Sequence, residues 1–328
     1  MNKEEIKREL ESKSNMKVAM HHDADGLGAL VLAKKVLDIS EVFSPDKFGD
    51  YSYISHEKNT EGDIVEKKYS ADLGLDLGQP IDSKFNGILI DHHNHPNPWY
   101  KLIHDRVPTG LIVYNLWKDK IPKEETWKLC VSLVGDGQPE LIPNEIFDNN
   151  PFLLNKIASV YKTYGKLKLY DYPLYSMLSS PINSMCRTGN IIPAYKLLLR
   201  AKDPLDVLGN EIAKNDVMLV RKEEERIFKE YNNLNIVKDH IVFHRFRSKF
   251  RMCGRIATKL QVNDRNRTYV VLNEEKKSLS IRGNLAYYIG TKLNAKGFTA
   301  GGHYGYFGGS LKDNQTARDL LEALRNVF

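Results

Sequence analysis

Lys17-Val18-Ala19-Met20-His21-His22-Asp23-Ala24-Asp25-Gly26, followed by the apolar stretch Leu27 to Leu37, reads as a short strand, a loop crowded with ionisable groups, and a buried helix. Gly87-Ile88-Leu89-Ile90 is a second, wholly apolar strand of the kind found in parallel sheets, and it stops abruptly at Asp91-His92-His93. A third apolar segment, Trp127 to Val134, has helical spacing and runs into Gly135-Asp136-Gly137. Open α/β sheets bind ligands in the crevice at the carboxyl ends of their strands. The spacing therefore predicts that these polar clusters converge in space.

Beyond Pro181 the pattern changes. Ile191 to Phe228 has helical periodicity and ends in the charge-laced Arg221 to Glu230, which reads as a helical connector. From Asn235 on, β-branched runs (Ile241 to Phe243, Tyr269 to Leu272, Leu279 to Ile281) alternate with a helical stretch, Leu285 to Leu293, and a Gly-rich loop, Gly301 to Gly309. The expected architecture is α/β throughout: an N-terminal parallel-sheet domain over 1–190, a helical connector over 191–234, and a smaller α/β domain over 235–328. Glu57 to Lys68 reads as an exposed hairpin or loop.

Composition sets the class. A chain of 328 residues, 41% hydrophobic and 27% charged, can bury two cores, which excludes a rod or a disordered chain. No apolar run approaches the roughly 18 residues of a membrane span, and the Lys- and Glu-rich start lacks a leader, so a cytoplasmic protein without a membrane partner is expected. Cys130, Cys186 and Cys253 are far apart and read as reduced structural thiols. The net charge of +6 is compatible with a polyanionic partner.

Asp23, Asp25, Asp91, His92, His93 and Asp136 stand at strand or helix ends, and Asp72 and Asp76 lie in Ser70-Ala71-Asp72-Leu73-Gly74-Leu75-Asp76-Leu77-Gly78. An isolated Asp-x-Asp-Gly is ordinarily a turn or helix cap, and Asp136 between glycines is ordinarily a turn. Asp91-His92-His93 after an apolar strand is different, because such a trio gains nothing there unless it coordinates something. Carboxylates with imidazoles suit Mn²⁺ or Mg²⁺. The count is sufficient for two ions joined by a bridging carboxylate.

His21 to Gly26, Asp91-His92-His93 and Gly135-Asp136-Gly137 resemble the successive motifs of the DHH phosphoesterase superfamily. Ser280-Ile281-Arg282 followed by Ala300-Gly301-Gly302-His303 resembles the signature of its associated DHHA1 substrate domain. Ser180 to Arg187 is similar to the segment after the catalytic domain of RecJ-type exonucleases, and the length is closest to the archaeal RecJ-like group. The resemblance covers essentially the whole chain. Three departures from the family pattern stand out: His21 replaces a common carboxylate, Cys186 a glycine, and Ala300 the first glycine of the C-terminal signature.

Carried over by position, the resemblance implies two divalent ions, Mn²⁺ preferred and Mg²⁺ as substitute. Their ligands are Asp23, Asp25, His92, Asp136 and a bridging Asp72, with Asp76 the alternative bridge and His21 a further candidate. His93 faces the scissile phosphate, and Asp91 orients His92. Asn183, Arg187, Arg282, Gly301, Gly302 and His303 contact substrate. The implied activity is hydrolysis of single-stranded DNA or RNA from an end. Oligoribonucleases, phosphoadenosine phosphatases and cyclic dinucleotide phosphodiesterases share the same site. A replication scaffold without catalysis is a rival of another class, and replication or repair proteins are candidate partners. The stretch His240 to Lys259 interleaves Arg245, Arg247, Lys249, Arg251, Arg255 and Lys259 with Phe243, Phe246 and Phe250. It reads equally as a strand-binding surface or as an edge strand with buried phenylalanines.

Overall fold

The computed structural model divides into two compact units, residues 1–186 with 190–214 and residues 187–189 with 215–328. It describes residues 2–45, 50–58, 64–78, 80, 85–95, 98–163, 166–230, 235–238, 240–303 and 305–327. The stretch 191–234 is shared: residues up to 214 belong to the first unit and the rest to the second. Charge is shared unequally as well. The second unit carries 22 Lys and Arg against 12 Asp and Glu, a net +10, leaving 26 against 30, a net −4, in the first.

The first unit runs α1 (Lys3–Ser12), β1 (Met16–Met20), α2 (Ala24–Ala33), β2 (Ile39–Phe43), the hairpin β3 (Ser52–Lys58) and β4 (Ile64–Ser70), β5 (Leu73–Leu75), β6 (Ile88–Asp91) and β7 (Lys101–His104). There follow α3 (Thr109–Trp117), α4 (Lys128–Gly135), α5 (Asn144–Asn149), a second hairpin of β8 (Lys156–Thr163) and β9 (Lys166–Pro173), α6 (Ser179–Thr188), α7 (Ile191–Arg200), α8 (Pro204–Gly209) and the start of α9 (Glu211–Lys229). Five strands form one sheet in the order β2-β1-β5-β6-β7, and every pair is parallel. The chain leaves β1 toward β2 on one side and returns to β5 on the other. That reversal between β1 and β5 is the point where such sheets open a ligand crevice. Met20 pairs with Leu75 and Leu75 with Ile90, so His21, Asp76 and Asp91 come next in line along the carboxyl edge.

Helix α2 lies against β1, β5, α3, α4 and α7. All ten of its residues are buried, as an almost uniformly apolar helix requires. Two glycines let the helices close. A Cβ on Gly28 would come within 2.8 Å of Ser132 Cβ, and one on Gly110 within 2.2 Å of Ser132 Oγ. The N-terminal half of α2 is thereby held tightly beside α3 and α4.

The second unit contains β10 (Asn235–Lys238), β11 (Ile241–Phe246), α10 (Cys253–Asn263), β12 (Thr268–Asn273), β13 (Ser278–Arg282), α11 (Ala286–Ala295), β14 (Thr299–His303), β15 (Tyr306–Ser310) and α12 (Ala317–Arg325). Its sheet has the order β10-β11-β12-β13-β15-β14, with β11 and β12 parallel across the α10 crossover and the other pairs antiparallel. Alternation along β11 feeds two cores. Phe243 joins Val270, Ile281, Ile289 and Leu320 on one face, while Val242 and Phe246 join Val220, Ile256 and Val271 on the other.

The basic-aromatic stretch is resolved by this packing. Phe243 and Phe246 are core residues and Phe250 is half-buried against the second core, so none of the three is an exposed stacking platform. Nor is β11 an edge strand, since β10 and β12 flank it. Arg255 and Lys259 both bind the buried Glu224 on α9. Arg245, Arg247 and Lys249 are exposed.

His244 is buried on the Phe246 side of β11, its ring stacked near Phe246 at 6.0 Å, and burial lowers its pKa to about 4. The unfolded chain, with a histidine near 6.5, takes up a proton first as pH falls. Stability contributed by neutral His244 is therefore complete above about pH 6.5 and lost between there and about pH 4, to a total of about 3 kcal/mol. Urea unfolding followed by circular dichroism at pH 7 and pH 5 should show this loss in the second unit, and His244→Leu should remove most of the difference. An equal pH effect in that variant would assign the titration elsewhere.

Candidate metal and catalytic centre

Three loops meet at the carboxyl edge of the first sheet. Asp23 caps α2, its Oδ1 accepting from Gly26 N at 2.9 Å, while Oδ2 lies 2.7 Å from His21 Nδ1. Burial alone would raise the Asp23 pKa, but the His21 charge overrides it and holds Asp23 below the usual carboxylate range. Burial likewise opposes the charged form of His21, yet Asp23 and Asp76 raise its pKa well above the ordinary value.

Asp25, in the first turn of α2, is 2% exposed. It accepts from Thr109 N (2.8 Å) and Gly110 N (2.9 Å) at the start of α3, and from Ser132 Oγ of α4 (2.5 Å). Two backbone amides and a hydroxyl therefore fix its orientation. Burial and then the neighbouring Asp76 push its pKa well above the usual range.

Asp76 directly follows β5 and is the hub of the site. It is 1% exposed, with φ of +63°, a left-handed conformation uncommon for residues other than glycine. Its Oδ2 lies 3.4 Å from His21 Nδ1, while Oδ1 lies 3.1 Å from His92 Nε2, 3.6 Å from His93 Nδ1 and 3.2 Å from Thr109 Oγ1. Two ligand-like groups result, His21 with Asp23 and Asp76, and Asp76 with His92 and His93, and Asp76 belongs to both. Asp136 closes the far side, its Oδ2 3.9 Å from His92 Nδ1 and accepting from Gln138 Nε2 at 2.9 Å. Burial first, then the charges of Asp76 and Asp23, raise Asp136 to about 6.

Two expectations are corrected. Asp72 is not in this cluster: it precedes β5, where its Oδ2 accepts from Lys17 N at 2.9 Å near the opposite end of β1. Four residues of extended chain separate it from Asp76, about 13 Å along the strand direction. Asp91 pairs with His93 rather than His92. The buried Asp91 receives His93 Nδ1 and His93 N on Oδ1, each at 2.7 Å, and Gly78 N on Oδ2 at 2.5 Å.

The expected substrate residues are dispersed. Asn183 on α6 uses its Oδ1 to accept from Ala24 N at 3.0 Å, steadying the start of α2, and Arg187 stands one turn later on the same helix. In the second unit Arg282 donates from Nη1 to Ile281 O and Phe307 O and lies over the Tyr306 ring, 4.9 Å from its centroid. The expected Gly-rich loop is largely a β-hairpin of β14 and β15. Gly302, at φ +154°, is required there, because a Cβ would stand 2.3 Å from Tyr306 O. The side chain of His303 lies outside the described residues.

Ser132, Gln138, Thr109 and Gly78 have no signal in the sequence, because they act through a hydroxyl, an amide or backbone N–H groups, which leave no motif. Asp76 did leave a signal: it follows the apolar triplet Leu73-Gly74-Leu75, whereas Asp72 precedes it.

The donor set fits divalent ions. Four carboxylates and three imidazoles are gathered where burial and then mutual repulsion disfavour the charged forms of Asp25 and Asp136, and a hard cation relieves that repulsion. Cys130, Cys186 and Cys253 are all buried. Among the described residues, no helix is long and apolar enough to cross a membrane.

The first unit is an α/β fold with a parallel five-stranded sheet, the β1–β5 reversal at its centre and Asp91-His92-His93 at the carboxyl end of the neighbouring β6. Solved structures of RecJ and of a DHH domain share that fold. RecJ of Thermus thermophilus with Mn²⁺ is similar at 14% identity and a TM-score of 0.63 over 99% of this chain and 53% of that one. An exonuclease RecJ bound to manganese matches at 15% identity and a TM-score of 0.55, covering 98% and 92% of the two chains. A DHH domain from a family of ribosomal proteins matches at 13% and 0.63, covering 98% and 88%. This chain thus spans about half the length of the Thermus RecJ. No family model matches it, and no curated protein sequence does.

Proposed function

We propose that the protein is a phosphoesterase dependent on two divalent ions, Mn²⁺ preferred, that hydrolyses single-stranded DNA or RNA from an end. The observation that carries this reading is the sharing of Asp76 between two ligand groups at the switch point. His21, Asp23 and Asp76 would hold one ion, and Asp25, Asp76, His92 and Asp136 the other. Bound there, the ions supply Lewis-acid polarisation of a phosphoryl oxygen and a nucleophilic water at neutral pH.

The chain's own residues do the rest. Thr109, Gly110 and Ser132 hold Asp25, and Gln138 holds Asp136, so the carboxylates need no reorganisation on binding. Asp91 accepts from His93 Nδ1 and holds the ring in place, so that the doubly protonated ring would donate from Nε2 to a phosphoryl oxygen as charge develops. The net +10 of the second unit supports a polyanionic substrate held there. A scaffold that had given up catalysis would have no reason to keep this donor set.

An end-labelled ladder assay with Mn²⁺, offering single-stranded DNA, RNA and dinucleotides side by side, tests the proposal. We expect stepwise shortening of the long strands, abolished by EDTA. Cleavage confined to dinucleotides would replace the long-strand substrate with a short one. Absence of hydrolysis on every phosphoester offered, with metal bound, would overturn the reading.

A further inference from the structure

Strand β15 has two unlike faces. Phe307 is buried against α11, where a Cβ on Gly290 would come within 2.1 Å of its ring. Tyr306 and Gly308 alternate with it on the opposite face, and Tyr306 is 49% exposed. A single exposed tyrosine is ordinary, but this one is braced. In the register of β13 with β15, Arg282 stands directly opposite Tyr306, and its guanidinium lies over the ring, 4.9 Å from the centroid. Arg282 is itself held through Nη1, which donates to Ile281 O at 2.9 Å and to Phe307 O at 3.2 Å. A ring steadied by a cation loses little freedom when something stacks on it.

Beside the ring on the same face lies Gly308, and the fold does not demand glycine there. Its backbone is not left-handed, and a Cβ would meet nothing within 4 Å among the described residues. Glycine weakens a strand, and where no local geometry asks for it, a common reason is the close approach of a ligand or of another backbone. Bare backbone beside a braced aromatic ring suits a flat heterocycle, which stacks on the ring while its edge comes close to the floor. We propose that Tyr306, backed by Arg282 and floored by Gly308, is a stacking platform for a nucleobase, so that the second unit reads nucleotides and not phosphate charge alone. A cross-strand Arg–Tyr pair that only steadies the hairpin predicts a loss of stability on substitution and no sensitivity to bases.

The base in question is that of the phosphoester substrate proposed above, so the inference rests on that reading, and binding and hydrolysis are measured apart. With Ca²⁺ in place of Mn²⁺, fluorescence anisotropy gives the affinity for labelled oligothymidylate and for a strand of equal length whose residues are all abasic, so that phosphate charge is matched. Wild type should prefer the base-bearing strand by about 5- to 100-fold. Tyr306→Ser should abolish that preference by weakening the thymidylate strand alone, and Tyr306→Phe should keep it. Salt dependence should not change, because no phosphate contact is removed. Gly308→Val, which puts a side chain on the open floor, should lose the preference with its urea unfolding unchanged. Tyr288→Ala, at a tyrosine 41% exposed on α11, should bind both strands as wild type does. Equal affinity for the two strands in wild type, binding of neither, or a preference retained in folded Tyr306→Ser overturns the proposal. Base-dependent binding by a protein that hydrolyses no phosphoester overturns the proposed function and leaves the platform standing. Mn²⁺-dependent hydrolysis with equal affinity for both strands does the reverse.

Discussion

Asp76→Asn should lower turnover by at least about 10³-fold, while Asp72→Asn leaves it at the wild-type level. Asp76 alone belongs to both ligand groups, and its two oxygens face different histidines, His21 on one side and His92 on the other. An amide keeps the shape but offers one oxygen, no charge, and a nitrogen that cannot ligate, so both ion sites fail together. Asp72 accepts a hydrogen bond from Lys17 N near the other end of the strands, and its loss should cost about 1 kcal/mol of stability and no activity. Calorimetric Mn²⁺ titration beside kinetics on both variants decides the matter. A metal-competent Asp76→Asn enzyme, or a dead Asp72→Asn enzyme with its fold intact, would sink the assignment of the bridge.

The second large effect is expected at His93. His93→Ala should lower kcat about 10²- to 10³-fold, the size seen when one preorganised donor to a developing charge is removed, and Asp91→Asn should fall in the same range. Asp91 takes both the ring and backbone N–H of His93 on one oxygen. An amide there carries no negative charge to support a ring protonated on both nitrogens, the form in which Nε2 donates while Nδ1–H is bound. Mn²⁺ affinity should be unchanged in both. Loss of an ion in His93→Ala would instead make His93 a ligand, a role its 3.6 Å approach to Asp76 leaves open to test.

The fold and much of the site can be read from the sequence, because parallel strands buried on both faces are continuous apolar runs and whatever follows them stands at the carboxyl edge. Met20, Ile90 and the end of α4 announced themselves in this way, and with them His21, Asp23, Asp25, Asp91, His92, His93 and Asp136. The choice between Asp72 and Asp76 needed more. Both sit in an Asp-Leu-Gly, and only the short β5 between them, in register with β1, sends one to each end of the sheet. The partner of Asp91 was equally hidden, since adjacent histidines are equivalent in sequence and only the turn after β6 brings His93 back onto the carboxylate. Alternating Phe243 and Phe246 carry the same ambiguity. Period-2 spacing divides residues between two faces without stating that both are covered, and helices packed on both sides of the second sheet decided that. The sequence by itself determined the α/β class and the chemical types gathered at the strand ends. Tertiary structure alone decided which carboxylate is shared and which donors hold it, because backbone N–H groups such as those of Gly78, Thr109 and Gly110 acquire a role only when the chain folds them against a buried charge.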